Sequence, residues 1–472
     1  MRRVLAPEVV QTSALDCGPA ALRCLLEGFG IHASYGRLRE ACQTDLDGTS
    51  IDALEDAAVR LGLDAEQVML PLDHLFLPEA GGIPAIVVVR HPNGTTHFVV
   101  VWRRHGPWLQ VMDPAVGRRW VLCDRFREEV FVHSHPVPVS AWREWASSEA
   151  FLAVLKRRMR DLGVPAADGE ARIAPALAEE GWRPIALLDA AVRMTEAVAR
   201  SGGLARGEDA TRLLARTVDR ARDEGDDVVP ADFWTVRPAA TGEGLLLRGA
   251  VLLRALGRRA VDVAALPPDL AAALREPGAR PGQEMLRLVG ADGLLPPLSV
   301  LLALFLAAAG VVVEAALFAG LLSLGGRSFG SIWVLLVLCG GLRALEGPAV
   351  AGLLSIGRRL ETRLREAIFR KLPRLEDRYF RSRLTSDMAE RAHAVHLLRV
   401  LPDLAARWAR ATFEIVFTVA AIAWLFPASG LQALFAASAA LALPLIAHPL
   451  LVEGDLRLRT HVGGLARFYL DA

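Results

Sequence analysis

Cys17 lies in the stretch Gln11-Thr12-Ser13-Ala14-Leu15-Asp16-Cys17-Gly18-Pro19-Ala20-Ala21-Leu22. Pro19 suits the first turn of a helix, so the sulfur stands at a helix start. The first turn leaves N–H groups unpaired, and the helix dipole favours negative charge there. That environment favours the thiolate, the form of cysteine that attacks carbonyls. Gln11, six residues upstream, offers a side-chain amide as donor to a developing oxyanion, and Gly18 keeps the approach open for a substrate carbonyl. Taken alone, a cysteine before a helix is more often an inert buried thiol. A nucleophile needs an imidazole within hydrogen-bond reach, and the imidazole needs an orienting group. His97 and Asp113 are the candidates for these two roles.

The elements around them must bring these residues together. A helix follows Cys17 and stops at Gly28 and Gly30; a second runs from Ser34 to about Cys42, and a third from Ser50 to Gly62. Pro84–Val89 reads as a strand, followed by the turn His91-Pro92-Asn93-Gly94. Thr96–Trp102, Trp108–Asp113 and Trp120–Cys123 read as further strands, with Arg103–Pro107 as a turn centred on His105. Antiparallel pairing about that centre sets Val101 opposite Leu109, Val99 opposite Val111 and His97 opposite Asp113. Directly paired residues have Cβ atoms about 5 Å apart, so the two polar side chains meet at one end of an apolar face.

The other reactive residue types read as structural. Cys24, Cys42 and Cys123 are expected in the core, and His91 and His105 in solvated turns. His133 and His135 form a short His-x-His pair with no cysteine or carboxylate cluster nearby, so no metal is expected. The five cysteines of the chain lack paired spacing, which argues against a disulfide framework and fits a reducing compartment. A net charge of +1 gives no sign of a nucleic-acid partner.

Three regions follow from composition. Residues 1–135 form an α+β unit. Residues 136–290 are mostly helical, with amphipathic stretches at Pro184–Ala199 and Glu208–Arg222. Phe233–Arg237 and Leu245–Leu256 are undecided between strand and helix. Pro267-Pro268 and Pro277–Pro281 punctuate a linker, and a spacer or docking role is the plain reading. Residues 291–472 carry four apolar runs, at 297–324, 331–356, 411–426 and 431–452, each near the ~20 residues that cross a bilayer. Arg343 and Glu346 interrupt the second. The stretch from Arg358 to Arg410 holds 13 Arg and one Lys. By the positive-inside rule it faces the cytosol, and four spans return both ends of the chain there. No apolar signal segment precedes Gln11, which agrees.

The run Gln-x5-Cys-Gly, the strand Thr96-His97-Phe98-Val99-Val100-Val101 and the Asp113-Pro114 pair resemble, in order and spacing, the bacteriocin-processing peptidase family. Its members are papain-like domains fused to the N-terminus of peptide-exporting ABC transporters. The resemblance covers residues 5–135. It implies a papain-like fold with Cys17 as nucleophile, His97 as general base and then acid, Asp113 as orienter and Gln11 as oxyanion donor. It implies a precursor-peptide substrate cut after a Gly-Gly pair that ends its leader, and a narrow cleft near Cys17. It also implies a multi-pass protein of the bacterial cytoplasmic membrane with its peptidase in the cytosol. The segment Asp377-Arg378-Tyr379-Phe380 with Ser386-Asp387-Met388 is similar to the first intracellular loop of ABC exporters, where an aromatic pair precedes a short coupling helix.

Two features depart from that pattern. The only lysines, Lys156 and Lys371, do not follow a glycine, so these residues contain no GxxxxGK[ST] phosphate loop. The peptidase needs no cofactor; ATP would enter only through a missing or separate nucleotide-binding domain, and the chain reads as a truncated or split exporter. A homodimer or a separate ATPase subunit is the implied partner. The second departure is the roughly 155 residues between peptidase and first span, where the family has a short linker. Two alternatives remain open: a catalytically silent domain that docks leader peptides, and a membrane-anchored peptidase without transport.

Overall fold

In the computed structural model, residues 3–447 are described, except 12, 14, 46, 92–93, 240–243, 277–280, 324–328, 376–378 and 381–384. The chain divides into two units, Met1–Pro277 and Gly278–Ala472.

The first unit begins with three helices, α1 (Cys17–Gly28), α2 (Tyr35–Ala41) and α3 (Ile51–Arg60). Ser50 caps α3 by accepting the Ala53 N–H at 3.2 Å. Five strands follow: β1 (Leu63–Leu70), β2 (Ala85–Arg90), β3 (Thr96–His105), β4 (Trp108–Asp113) and β5 (Gly117–Leu122). Next come α4 (Cys123–Glu129) and β6 (His133–Val137), then the helices α5 (Val139–Ala146), α6 (Glu149–Asp161), α7 (Ala166–Ala178), α8 (Arg183–Arg200) and α9 (Glu208–Glu224). The unit closes with β7 (Val236–Pro238), β8 (Leu245–Arg258) and α10 (Pro268–Arg275).

The sheet runs in the order β1-β8-β2-β3-β4-β5, with β6 and β7 also paired to β8. Thus β8, whose sequence left strand and helix open, is a strand at an interior position. It pairs with β1 along its length and with β2 through Ala85↔Arg254, Ile86↔Leu253 and Val87↔Leu252. The structure does not part the chain at 135. Residues from the expected spacer complete the sheet that begins at residue 63.

Burial explains the strand sequences. β2 reads Ala-Ile-Val-Val-Val-Arg and is buried at all but its last position, because helices cover both faces. Ile86, Val100, Trp102 and Met112 face a core shared with α1–α3, including Leu22, Leu25 and Leu54. Val87, Val99, Val101 and Val111 face the opposite core, with Phe76, Phe126 and Val154. Gly28 is set by close packing: a Cβ there would lie 2.1 Å from the Trp102 ring. α10 docks in place of the expected linker; Leu270 joins the first core, and the Ser34 N–H donates to the Ala273 carbonyl at 2.8 Å.

α5–α9 form a third core around Trp142, Phe151, Leu187 and Leu188, which also takes Leu245 and Leu247 of β8. A buried charge cluster ties these helices to the turn after β1. Arg158 contacts Asp73 at 3.1 Å, Asp189 at 3.2 Å and Glu196 at 2.6 Å. Arg193 pairs with Asp73 and donates to His74 Nε2 at 3.1 Å. Burial is the main cause that pushes the His74 imidazole down to about 4, and a neutral ring suits its place as acceptor.

The second unit, described by itself, is helical: α11 (Pro281–Gly290), α12 (Leu295–Ser323) and α13 (Phe329–Lys371), then Thr385–Ala394 and Leu401–Leu425. Among the described residues three stretches are long and apolar enough to cross a membrane: Leu295–Gly320, Ala392–Leu425 and Pro427–Ala447. They correspond to the first, third and fourth expected runs; residues 448–452 of the fourth lie outside the described residues. The second run, 331–356, falls within α13, where many side chains, those of Arg343 and Glu346 included, lie outside them too. Val300, Leu304 and Ala406 pack together, and Phe305 meets Phe413 at 5.5 Å and Phe417 at 5.0 Å. The Tyr379 and Phe380 rings stand edge to face at 5.6 Å just before helix Thr385–Ala394, whose backbone carries Ser386-Asp387-Met388.

Two outcomes follow. A chain ending at residue 140 lacks β8 and is expected to show no cooperative thermal unfolding by circular dichroism, whereas residues 1–277 unfold in one transition. Arg158→Met leaves three carboxylates with one arginine, and is expected to lower the urea-unfolding free energy of residues 1–277 by about 3–5 kcal/mol.

Candidate active site

The site grows from the ends of three elements. α1 supplies Cys17 at its first residue, half-buried while Cys24 and Cys42 are fully enclosed. β3 supplies His97 at its second residue, and β4 supplies Asp113 at its last. The segment before α1 supplies Gln11, whose N–H donates to the Pro114 carbonyl at 2.8 Å. That bond ties Gln11 to the residue next to Asp113.

His97 Nε2 and Asp113 Oδ1 are 2.9 Å apart, and both side chains are nearly closed to solvent. The Cys17 thiol is within hydrogen-bonding reach of the same imidazole. With Nε2 on Asp113, Nδ1 is the ring nitrogen left to serve the sulfur. Burial opposes charge on His97, but the hydrogen bonds to Asp113 and Cys17 and the Asp113 carboxylate outweigh it, and the imidazole is pushed up to about 9. For Asp113, burial likewise works against the charge. The His97 contact, the Ala115 N–H and Arg119 together hold the carboxyl below the usual carboxylate range. A thiol facing a charged imidazole that is fixed by a carboxylate has the equipment to attack a carbonyl and pass on a proton.

The register that joins His97 to Asp113 differs from the one expected. The turn is two residues, Gly106-Pro107, with Gly106 at φ +55°. His105 therefore pairs with Trp108, and a bulge between Val101 and Arg103 shifts the ladder, so Val101 lies opposite Val111 and Val100 opposite Met112. His97 is not directly opposite Asp113. It reaches across on the diagonal, a span that ring side chains cover. Trp102, on the same face as Val100, lies in the helical core, where its indole N–H donates to the Arg3 carbonyl at 3.2 Å.

Other surroundings were not anticipated. Ala115 N–H donates to Asp113 Oδ1 at 2.9 Å, a turn in which an aspartate accepts from the residue two positions on; the Asp-Pro pair was its signal. Arg119 lies 3.6 Å from Asp113 Oδ2 and 2.6 Å from Glu129. His91, expected in solvent, is half-buried with its ring 4.7 Å from that of His97. Burial, with His97 beside it, holds the His91 imidazole below its ordinary value. A cavity of about 670 Å³ opens here, with His91, Asp113, Arg119 and Glu129 in its wall. Gly18 does not open an approach. It is buried, and a Cβ would lie 2.9 Å from Thr49 Cβ and 3.4 Å from Leu54. Gln11 Oε1 is shielded and has no partner among the described residues. His105 is exposed as expected, Cys123 is buried in the core, and no metal-binding cluster is found among the described residues.

Residues 6–130 match the model of the Peptidase C39 family. An uncharacterised protein of Methanothermobacter marburgensis is 33% identical over 133 residues, which cover 28% of this chain and 85% of that protein. The lactococcin-G-processing and transport ATP-binding protein of Lactococcus lactis is 30% identical over 121 residues, 26% of this chain but 17% of the transporter. This chain therefore spans a small part of that relative's length. A solved double glycine motif protease from an AMS/PCAT transporter, in complex with its leader peptide, aligns at 24% identity and a TM-score of 0.24, covering 27% of this chain and 88% of that one.

The raised His97 value makes a solution prediction. In the folded protein its imidazole is expected to titrate near pH 9, against about 6.5 for a free histidine, and Asp113→Asn is expected to bring it down. Folding thus favours the protonated ring. Its contribution to stability is complete below pH 6.5 and is lost as pH rises through about 9. Histidine-resolved NMR titration checks this, and a wild-type value at or below 6.5 contradicts it.

Proposed function

This chain belongs, through residues 6–130, to the Peptidase C39 family, and on that premise we propose that it is a cysteine endopeptidase that removes a double-glycine leader from a precursor peptide. The observation that carries the reading is the contact of His97 with Asp113 at 2.9 Å while the same imidazole meets Cys17. In the proposed cycle the Cys17 sulfur attacks the carbonyl carbon of the glycine that ends the leader. The charged oxygen is received by N–H groups at the start of α1 and by the Gln11 amide. Imidazolium His97 gives its proton to the leaving amine, and the mature peptide departs. A water molecule, deprotonated by His97, then attacks the thioester and releases the leader. Asp113 fixes the imidazole throughout. Its own hold on Ala115 N–H and Arg119 keeps it charged and in place.

Export is the second part of the proposal. The L. lactis relative is named as both processing and transport protein, and three stretches of this chain are long and apolar enough to cross a membrane. In this reading the peptidase sits on the cytosolic side of a membrane-spanning half-exporter, and ATP is used by a nucleotide-binding domain that residues 1–472 do not contain. Paired copies or a separate ATPase subunit complete the transporter.

The test uses the full chain in detergent with a precursor peptide whose leader ends in Gly-Gly. Wild type is expected to cut after the second glycine, and Cys17→Ala and His97→Ala to give no product. Gln11→Ala is expected to lose about 10²–10³ in kcat. Replacing either glycine of the precursor by leucine is expected to stop cleavage. Equal cleavage by Cys17→Ala sinks the reading.

A further inference from the structure

Asp16 precedes Cys17 and occupies the position that caps a helix. Aspartate is a favoured cap because its carboxylate accepts an N–H from the second or third helical residue. Asp16 makes no such bond. Its Oδ1 is engaged by Arg39 Nε from α2, and Tyr35 Oη donates to its Oδ2 at 3.4 Å. The two charged side chains are 0% and 1% exposed. Burying such a pair is costly, and apolar residues of similar volume often serve stability as well or better. Stability alone therefore gives no reason for an ion pair in this place.

The local geometry does give one. The third residue of α1 is Pro19, which has no N–H, and the Ala20 N–H already donates to the Asp16 carbonyl at 3.0 Å. Two donors remain at the helix start, those of Cys17 and Gly18, and neither is bonded to any described residue. A capping carboxylate would take the Gly18 N–H and set a negative charge against the sulfur. Gly18 is buried, with Thr49 and Leu54 on the side where a Cβ would stand.

We propose that the Asp16–Arg39 pair, with Tyr35, is a positioning device that holds the Asp16 carboxylate off the start of α1 and leaves the Cys17 and Gly18 N–H groups open to the nucleophile and the substrate's carbonyl oxygen. In this reading the three residues act through the helix start rather than on the substrate itself. The inference rests on the peptidase reading above and adds residues that the reading does not use.

The experiment compares Arg39→Met, Arg39→Lys and the uncharged pair Asp16→Asn with Arg39→Met, each in the full chain in detergent. Cleavage gives kcat and KM, and iodoacetamide labelling at pH 7, resolved by mass spectrometry, gives the reactivity of Cys17. Burial pushes the Cys42 thiol up to about 12 and Cys24 higher still, so neither competes. Arg39→Met releases the carboxylate toward the helix start, and kcat is expected to fall about 10- to 100-fold with KM within about twofold. Labelling of Cys17 is expected to slow in step, and Arg39→Lys to recover most of both. The uncharged double variant leaves no buried charge to unfold the protein, and the amide that replaces the carboxylate is free to cap Gly18; it is expected to keep the wild-type melting temperature and still lose kcat. Wild-type kcat in that folded double variant, or a loss confined to KM, overturns the proposal. If wild type cuts no Gly-Gly precursor, the peptidase reading fails, while the labelling rates still decide whether the pair controls Cys17.

Discussion

The first unit depends on a strand that arrives late. β1 and β2 are consecutive in the chain but are not neighbours in the sheet. β8 lies between them, paired to both. Leu252 and Leu253 of β8 point to opposite cores, the first beside Val87 and Val99, the second beside Ile86 and Val100. Without β8, β1 has no partner and both faces lose apolar side chains that bury the strands carrying His97 and Asp113. The helices α5–α9 are thus threaded between two parts of one sheet. They keep their own core, and that core takes Leu245 and Leu247 from the start of β8.

A bulge and a turn then aim the site. The extra residue at Trp102 moves the β3–β4 ladder out of the register that a symmetric hairpin would have. In that ladder His97 meets Asp113 diagonally. The turn after β4 does the rest, since the Ala115 N–H fixes the Asp113 oxygen that faces the imidazole. Beside the bulge, the Trp102 ring packs over Gly28 at the far end of α1, the helix whose start holds Cys17.

Much of this was legible in the residues. The helix after Cys17 and the strands at 96 and 108 could be read from turn chemistry and apolar patterning; the nearness of His97 and Asp113 was expected too, but from a hairpin register that the structure replaces. Three kinds of feature could not. The partner of β1 lies some 180 residues away, and period-two patterning carries no information about which distant strand fills a gap. The bulge is one extra residue between Val101 and Arg103, and nothing in the spacing of the hairpin marks it. The ion pair of Asp16 with Arg39 joins two helices through a contact between side chains of ordinary type, and neither residue stands out in its own segment. Leu245–Leu256 stays open between strand and helix for a related reason: it is as apolar as a buried strand, but the sheet that receives it begins far away in sequence, at residue 63.

The unit holds two buried charge groups, and their surroundings separate what each does. The cluster of Arg158, Arg193, Asp73, Asp189 and Glu196 joins the turn after β1 to α6 and α8. Its members come from three segments, the turn after β1, α6 and α8, and each arginine meets more than one carboxylate. Such a network fixes the docking of the helices against the sheet, since a shifted helix would leave a charge unpaired in the interior. The Asp16–Arg39 pair spans only two neighbouring helices, α1 and α2, that are already packed through Leu22, Leu25 and Leu38. It adds little to which elements meet. What it bears on is where one carboxylate goes, one residue before the sulfur.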